Sequence, residues 1–213
     1  MIIKFDREPQ PQSVSEPANT NFKPDDTPGL RGERIVGEFL HEAFGEIFTK
    51  MERTPPDSRD DKNGIDYVVE LAGNGRFAID ITFDKRGSER RRKKEESFLR
   101  NPCIPLHDEQ NKAISEPLPR LLIDGGQSLN LWFVYEDERN KKYEQYKEEA
   151  ERRGLKLTNF MSVKAKNDKM RYFLTQILDQ VKGMSMQDRE YREKTREALK
   201  IFGAEAKKLG IPH

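Results

Sequence analysis

The chain has 213 residues, 34% of them hydrophobic and 36% charged, with a formal net charge of only +1. That length supports one domain with a sizeable core plus extensions. The near-neutral balance removes any global electrostatic argument for a polyanionic partner, so such an argument has to be local. Cys103 is the single cysteine, which excludes an internal disulfide and points to a reducing compartment. The sequence contains no long apolar run and no signal-peptide core, so a soluble, cytoplasmic protein is expected.

Residues 8–29 carry Pro9, Pro11, Pro17, Pro24 and Pro28 among Ser, Asn, Asp and Gln. Such a stretch buries too little apolar surface to offset the entropy of ordering it, so residues 1–29 are expected to form a flexible arm. Its first five residues, Met1 to Phe5, read either as a frayed end or as an added edge strand. From Arg31 onward, Ile35, Val36, Phe39, Leu40, Ala43 and Phe44 recur at helical spacing, and Gly45 is placed to end the helix. Glu33 falls on the margin of that apolar stripe, whereas Glu38 and Glu42 point away. A carboxylate turned inward demands a partner; the alternative is a first-turn glutamate favoured by the helix dipole.

Residues 46–52 read as a short strand and residues 53–63 as a polar loop. A β-hairpin follows. Residues 65–71 and 77–83 are rich in β-branched and aromatic side chains, with Gly73, Asn74 and Gly75 as the turn. Alternation places Phe77, Ile79, Ile81 and Phe83 on one face and Ala78, Asp80, Thr82 and Asp84 on the other. With that turn, Asp66 faces Thr82 and Val68 faces Asp80, which makes the two aspartates diagonal neighbours roughly 7–8 Å apart at Cα. Two carboxylates so placed can grip one divalent cation; the alternative is a hairpin with one solvated face.

Residues 87–100 contain the basic run Arg90, Arg91, Arg92, Lys93 and Lys94, expected to be helical and to stop before Pro102. The run reads as a nucleic-acid contact or, flanked by Glu89, Glu95 and Glu96, as a solvated helix face. Residues 101–119 are broken by four prolines, and 118–123 are expected to form one turn. The most apolar run, residues 129–135, is expected to be a buried central strand. A charged helix over 138–153, a strand over 155–163 and helices over 168–182 and 187–209 complete the reading. Strand–helix alternation argues for an α/β domain with a mixed sheet over residues 30–165 and a helical extension over 166–213 packed on it. His41 and His107 stand alone without metal-ligand spacing, and Gly125-Gly126 is a turn signal rather than a phosphate loop.

Taken in order, a helix with an inward glutamate, a strand, a strand opened by an aspartate, a strand carrying Asp-Ile-Thr, a helix and a strand resemble the PD-(D/E)XK, or restriction-endonuclease-like, nuclease superfamily. The matching residues are Gly32-Glu33 with Phe39-Leu40, then Gly64-Ile65-Asp66, then Phe77 through Asp80 to Thr82. The resemblance implies a core of helix, three-stranded meander, helix and strand in a mixed sheet flanked by helices, with extra C-terminal helices. It also implies hydrolysis of DNA phosphodiesters with Mg²⁺ or Mn²⁺ held by Asp66, Asp80 and the backbone carbonyl of Ile81, Glu33 completing the acidic cluster. Cutting both strands of a duplex needs two sites, hence a homodimer. One position departs from the pattern: the motif lysine, due two residues after Asp80, is Thr82. Lys85, or failing it a basic residue between Arg86 and Lys94, is the candidate to supply the missing charge, and Arg86 with Arg90 to Lys94 the candidate DNA contacts. Two other readings stay open: a catalytically degenerate nuclease fold that binds nucleic acid or protein, and an α/β interaction protein unrelated to nucleases.

Overall fold

The apolar stripe of the first amphipathic segment folds as α1 (Pro28–Ala43). It begins three residues before Arg31, because Pro28 suits the first helical position, where its fixed φ is already helical and its missing N–H is not needed. The computed structural model describes residues 28–73, 75–84, 87–110, 112–125, 152–154, 156–187 and 189–212. Of the arm expected over 1–29, residues 28 and 29 belong to α1 instead; its residues 1–27, the expected strand over 129–135, most of the helix over 138–153, Lys85 and Arg86 lie outside the described residues.

Three antiparallel strands form the meander: β1 (Phe48–Arg53), β2 (Tyr67–Leu71) and β3 (Arg76–Thr82). The loop before β2 contains one helical turn, α2 (Arg59–Lys62), capped by Ser58, whose hydroxyl accepts the Asp61 N–H at 3.2 Å. After the meander come α3 (Glu89–Arg100), β4 (Cys103–Ile104) and β5 (Leu118–Asp124). A 3₁₀ turn (Leu157–Phe160), α4 (Val163–Ser185) and α5 (Arg189–Lys208) follow. The result is an α/β protein with a five-stranded mixed sheet in the order β1-β2-β3-β5-β4, in which β5 runs parallel to β3. No helix among the described residues is long and apolar enough to cross a membrane.

Two expectations change here. Residues 118–123 are not a single turn but most of β5, the neighbour of β3. Every residue of that strand is buried, and a parallel strand covered on both faces shows no alternation to read. Pro117, Pro119 and Arg120 further disguise it. The strand expected over 155–163 is instead the 3₁₀ turn and the start of α4, where Ser162 caps the helix by accepting the Ala165 N–H at 3.2 Å.

Hairpin register also shifts. The closing bond runs from the Leu71 N–H to the Gly75 carbonyl, so the connection starts at Ala72 rather than Gly73. Tyr67 then faces Ile79, Val68 faces Ala78 and Glu70 faces Arg76, and the last two also form an ion pair at 3.6 Å. Asp66 lies before this ladder with its N–H on the Ile79 carbonyl at 2.8 Å, so it does not face Thr82; within the ladder the partners move by two residues. A slip of two residues leaves every side chain on its face.

The two faces of the sheet differ in kind. Val69, Phe77, Ile79, Ile81, Leu121 and Ile123 form one core with Ile35, Phe39 and Leu40 of α1, Phe173 and Ile177 of α4, and Phe202 of α5. Phe202 packs edge-on against Phe48 and Phe77, with centroids 6.1 and 6.5 Å away. The C-terminal helices therefore share the sheet's own core, and the expected boundary at 165/166 falls inside α4. On the opposite face a smaller cluster of Ile65, Ala78 and Leu118 leaves room for polar side chains beneath α3. The outer edge of β5 is capped by α4: Gln180 accepts the Leu122 N–H at 2.7 Å and donates to the Leu122 carbonyl at 2.9 Å, while Gln176 accepts the Asp124 N–H at 2.8 Å.

Candidate acidic site beneath the third helix

The site starts with a turn. Gly64 follows α2 with φ +78, and a Cβ there would lie 2.8 Å from Asp80 Oδ2. Glycine is required both for the left-handed backbone and for the close approach of the carboxylate. Two residues on, Asp66 stands where β2 has not yet begun, opposite a β3 N–H without a strand partner. Its Oδ2 accepts that Ile81 N–H at 2.5 Å, so side chain replaces ladder.

Asp80 is only 4% exposed, and both of its oxygens face cations. Lys94 Nζ of α3 donates to Oδ1 at 3.1 Å, and Arg120 Nη2 of β5 donates to Oδ2 at 3.3 Å. Burial pushes the Asp80 carboxyl up, against the pull of Lys94 and Arg120. The Asp66 carboxyl is pushed up to about 7, first by burial and then by the charge of Asp80, with the Ile81 N–H opposing. Glu33 is half-buried on α1 and pushed up to about 8, by burial and then by Asp66, with Arg53 and Lys94 opposing. Asp61 adds to the repulsion on both Glu33 and Asp66. Glu33, Asp66 and Asp80 thus lie within one electrostatic field, and the Lys94 ammonium acts on all three. α1 is held against β2 by Tyr67, whose hydroxyl donates to the Glu33 carbonyl at 3.3 Å, and a Cβ at Gly37 would overlap the Tyr67 ring.

The raised carboxyls carry a sign. Glu33 holds a proton in the folded chain up to about pH 8 but releases it near pH 4.5 when unfolded, so stability falls as pH rises through that window. In chelator, thermal unfolding of the parent is expected to lose Tm between about pH 5 and about pH 8.5 more steeply than Glu33→Gln does. Parallel profiles would remove the buried, crowded glutamate from this account.

Other expected site residues fall differently. The buried Thr82 hydroxyl is engaged by its own neighbour: it donates to Asp84 Oδ2 at 3.2 Å and accepts the Asp84 N–H at 3.3 Å. Arg90 pairs with Asp84 at 3.6 Å, Arg91 with Glu95 at 2.6 Å, Arg92 with Glu96 at 3.7 Å and Lys93 with Glu89 at 2.7 Å. The basic run is therefore locally neutralised along α3, and Lys94 is its member that reaches the acids. Arg91, Lys94 and Phe98 share the inward face, since three and seven residues bring side chains to one side of a helix. The aromatic Phe98 marks that face in the sequence, and reading back from it would have singled out Lys94.

Arg120, Asp61 and a buried Asp60–His107 pair were not foreseen. Asp60 accepts the His107 N–H at 3.0 Å and meets its Nδ1 at 2.7 Å, pinning the proline-rich loop to α2 beside a cleft lined by Pro55, Lys62 and Asp108. Partners 47 residues apart leave no local signal.

Among the described residues no three His, Cys, Asp or Glu side chains converge into a ready-made metal cage. Mg²⁺ does not need one: it keeps several waters and is usually held by one or two carboxylates. Asp66 and Asp80, hard oxygen donors whose charged forms are disfavoured by burial, fit that demand. Compared with protein-family profiles, with curated proteins and with solved structures, the chain matches none.

Proposed function

We propose that this chain is a metal-dependent nuclease of the restriction-endonuclease-like type, hydrolysing DNA phosphodiester bonds at Glu33, Asp66 and Asp80 in a reducing, cytoplasmic compartment. The observation that carries the reading is Lys94 Nζ at 3.1 Å from Asp80 Oδ1: a cation from the next helix stands beside the acids where Thr82 offers none. The order of helix, antiparallel meander, helix and parallel strand supports it too. Mg²⁺ or Mn²⁺ held by Asp66, Asp80 and the Ile81 carbonyl would supply an acidified water and neutralise a phosphate oxygen. The chain's own groups do the rest. Asp66 is oriented by the Ile81 N–H, Glu33 carries a proton near neutral pH, and Lys94 offers its ammonium to the charge developing on phosphate. Arg90, Arg92 and Lys93 are exposed and can exchange their weak surface partners for DNA phosphates. Two copies would serve the two strands of a duplex.

The test is calorimetric titration with Mn²⁺ together with cleavage of plasmid and single-stranded DNA. Expected are metal binding and cleavage by the parent, both lost in Asp80→Asn. A folded parent that binds no metal would reject the reading. One observation favours a second reading, a degenerate nuclease fold that binds nucleic acid without cutting: both Asp80 oxygens already face cations. An inactive parent that gains cleavage in Thr82→Lys would decide for it.

A further inference from the structure

We infer that Arg120 is a positioning residue that locks the Asp80 carboxylate to the Asn63-Gly64 turn, so that Oδ1 is the oxygen left to Lys94 and to an incoming cation; this rests on the proposed metal site. Arg120 sits on β5 opposite Ala78 of the parallel ladder, which puts its side chain on the Asp80 face. It is 6% exposed, and Nη2 alone serves two acceptors, the Asn63 carbonyl at 3.2 Å and Asp80 Oδ2 at 3.3 Å. Its Nε is buried with no hydrogen-bond partner. A buried donor left unpaired costs free energy, so the guanidinium is not placed to satisfy itself; it is placed to bring one nitrogen between a backbone carbonyl and a carboxylate. The Phe98 ring lies 6.0 Å from its Cζ and limits its movement. Gly64 completes the fit, because a Cβ there would crowd Arg120 Nη2 at 3.3 Å as well as Asp80. Lys94 is the contrasting partner: its side chain is 33% exposed and comes from a solvent-facing helix.

Groups that orient a metal-binding carboxylate typically change metal affinity by about 10–100-fold when removed. Charge alone predicts the opposite sign, since deleting a cation beside a carboxylate favours metal binding. Arg120→Lys separates the two: it keeps the charge but replaces the rigid, planar guanidinium, whose Nη2 bridges both acceptors, with a flexible ammonium.

The experiment is Mn²⁺ titration of the full chain, followed by calorimetry, for the parent, Arg120→Lys and Asp80→Asn, with Tm measured alongside. Expected is about 10–100-fold weaker binding in Arg120→Lys. Unchanged affinity with a lowered Tm would make Arg120 merely structural and overturn the inference, and tighter binding would do the same. No binding by the parent would instead overturn the metal site itself, and the inference with it. If Arg120→Lys does not fold, Phe98→Leu keeps every charge and frees the guanidinium; weakened Mn²⁺ binding there supports the inference, and parental affinity overturns it.

Discussion

Replacing Lys94 with glutamine is expected to lower Mn²⁺-dependent DNA cleavage by about 10²–10³-fold, which corresponds to about 2.7–4 kcal/mol of transition-state stabilisation. Lys94 is the cation of α3 that touches Asp80, at 3.1 Å, and its field reaches Glu33 and Asp66. Removing it should leave metal binding intact or tighter, because a competing positive charge is gone. The loss therefore belongs in turnover, and Mn²⁺ titration of the same variant tells the two apart. Lys93 is the control. One residue away, it is exposed and pairs with Glu89, so Lys93→Gln should change the rate little, as expected of a surface pair. Equal effects of the two substitutions would mean that α3 acts only through its overall charge. Parental activity in Lys94→Gln would end its role as the displaced motif lysine.

Gly64→Ala is expected to destabilise the fold and to weaken Mn²⁺ binding together. The left-handed backbone costs a residue with a Cβ about 1–2 kcal/mol. At Gly64 the new carbon would also lie 2.8 Å from Asp80 Oδ2, and a carboxylate pushed off its cations in a buried site loses the pairing that compensates its desolvation. Retreat of the turn is resisted by bonds from the Gly64 N–H to Asp61 and from the Ile65 N–H to Asp60, both 2.9 Å. Gly87 isolates the backbone contribution: its φ is +79, and a Cβ there would meet nothing within 4 Å. Urea unfolding should show a small loss for Gly87→Ala and a larger one for Gly64→Ala, with Mn²⁺ affinity lowered only in the latter. Similar losses in both would show that Asp80 tolerates the methyl group.

How much of this could be read in advance follows from the range of each signal. The stripe Ile35, Val36, Phe39, Leu40 and the alternation Phe77, Ile79, Ile81 are local patterns, and both appear as α1 and β3. Asp66 and Asp80 do come within reach of each other's charge, although the turn begins one residue earlier than expected and Asp66 precedes the ladder, its N–H on the Ile79 carbonyl. β5 was missed because a strand buried on both faces has no period, and its prolines resemble a loop. Arg120 was missed with it: a site residue on an unrecognised strand cannot be assigned a face. Lys94 is distinguished from Arg92 and Lys93, which have the same chemistry and point to solvent, only by its spacing from Phe98 on the inward face.

The glutamines on α4 do more than satisfy two backbone positions. Through one side-chain amide, Gln180 gives and takes at Leu122 the pair of bonds that an adjoining strand would make, so a helix impersonates the next strand. A segment from a second molecule arriving at that edge would meet a ladder already filled, which is one way proteins keep sheets from growing by accretion. If two copies do work together across a duplex, a continuous sheet joined through Leu122 is not the way they associate. Among the described elements, the surfaces left for such a union are the helices, β1 at the far margin of the sheet and the two-residue β4 at the near one.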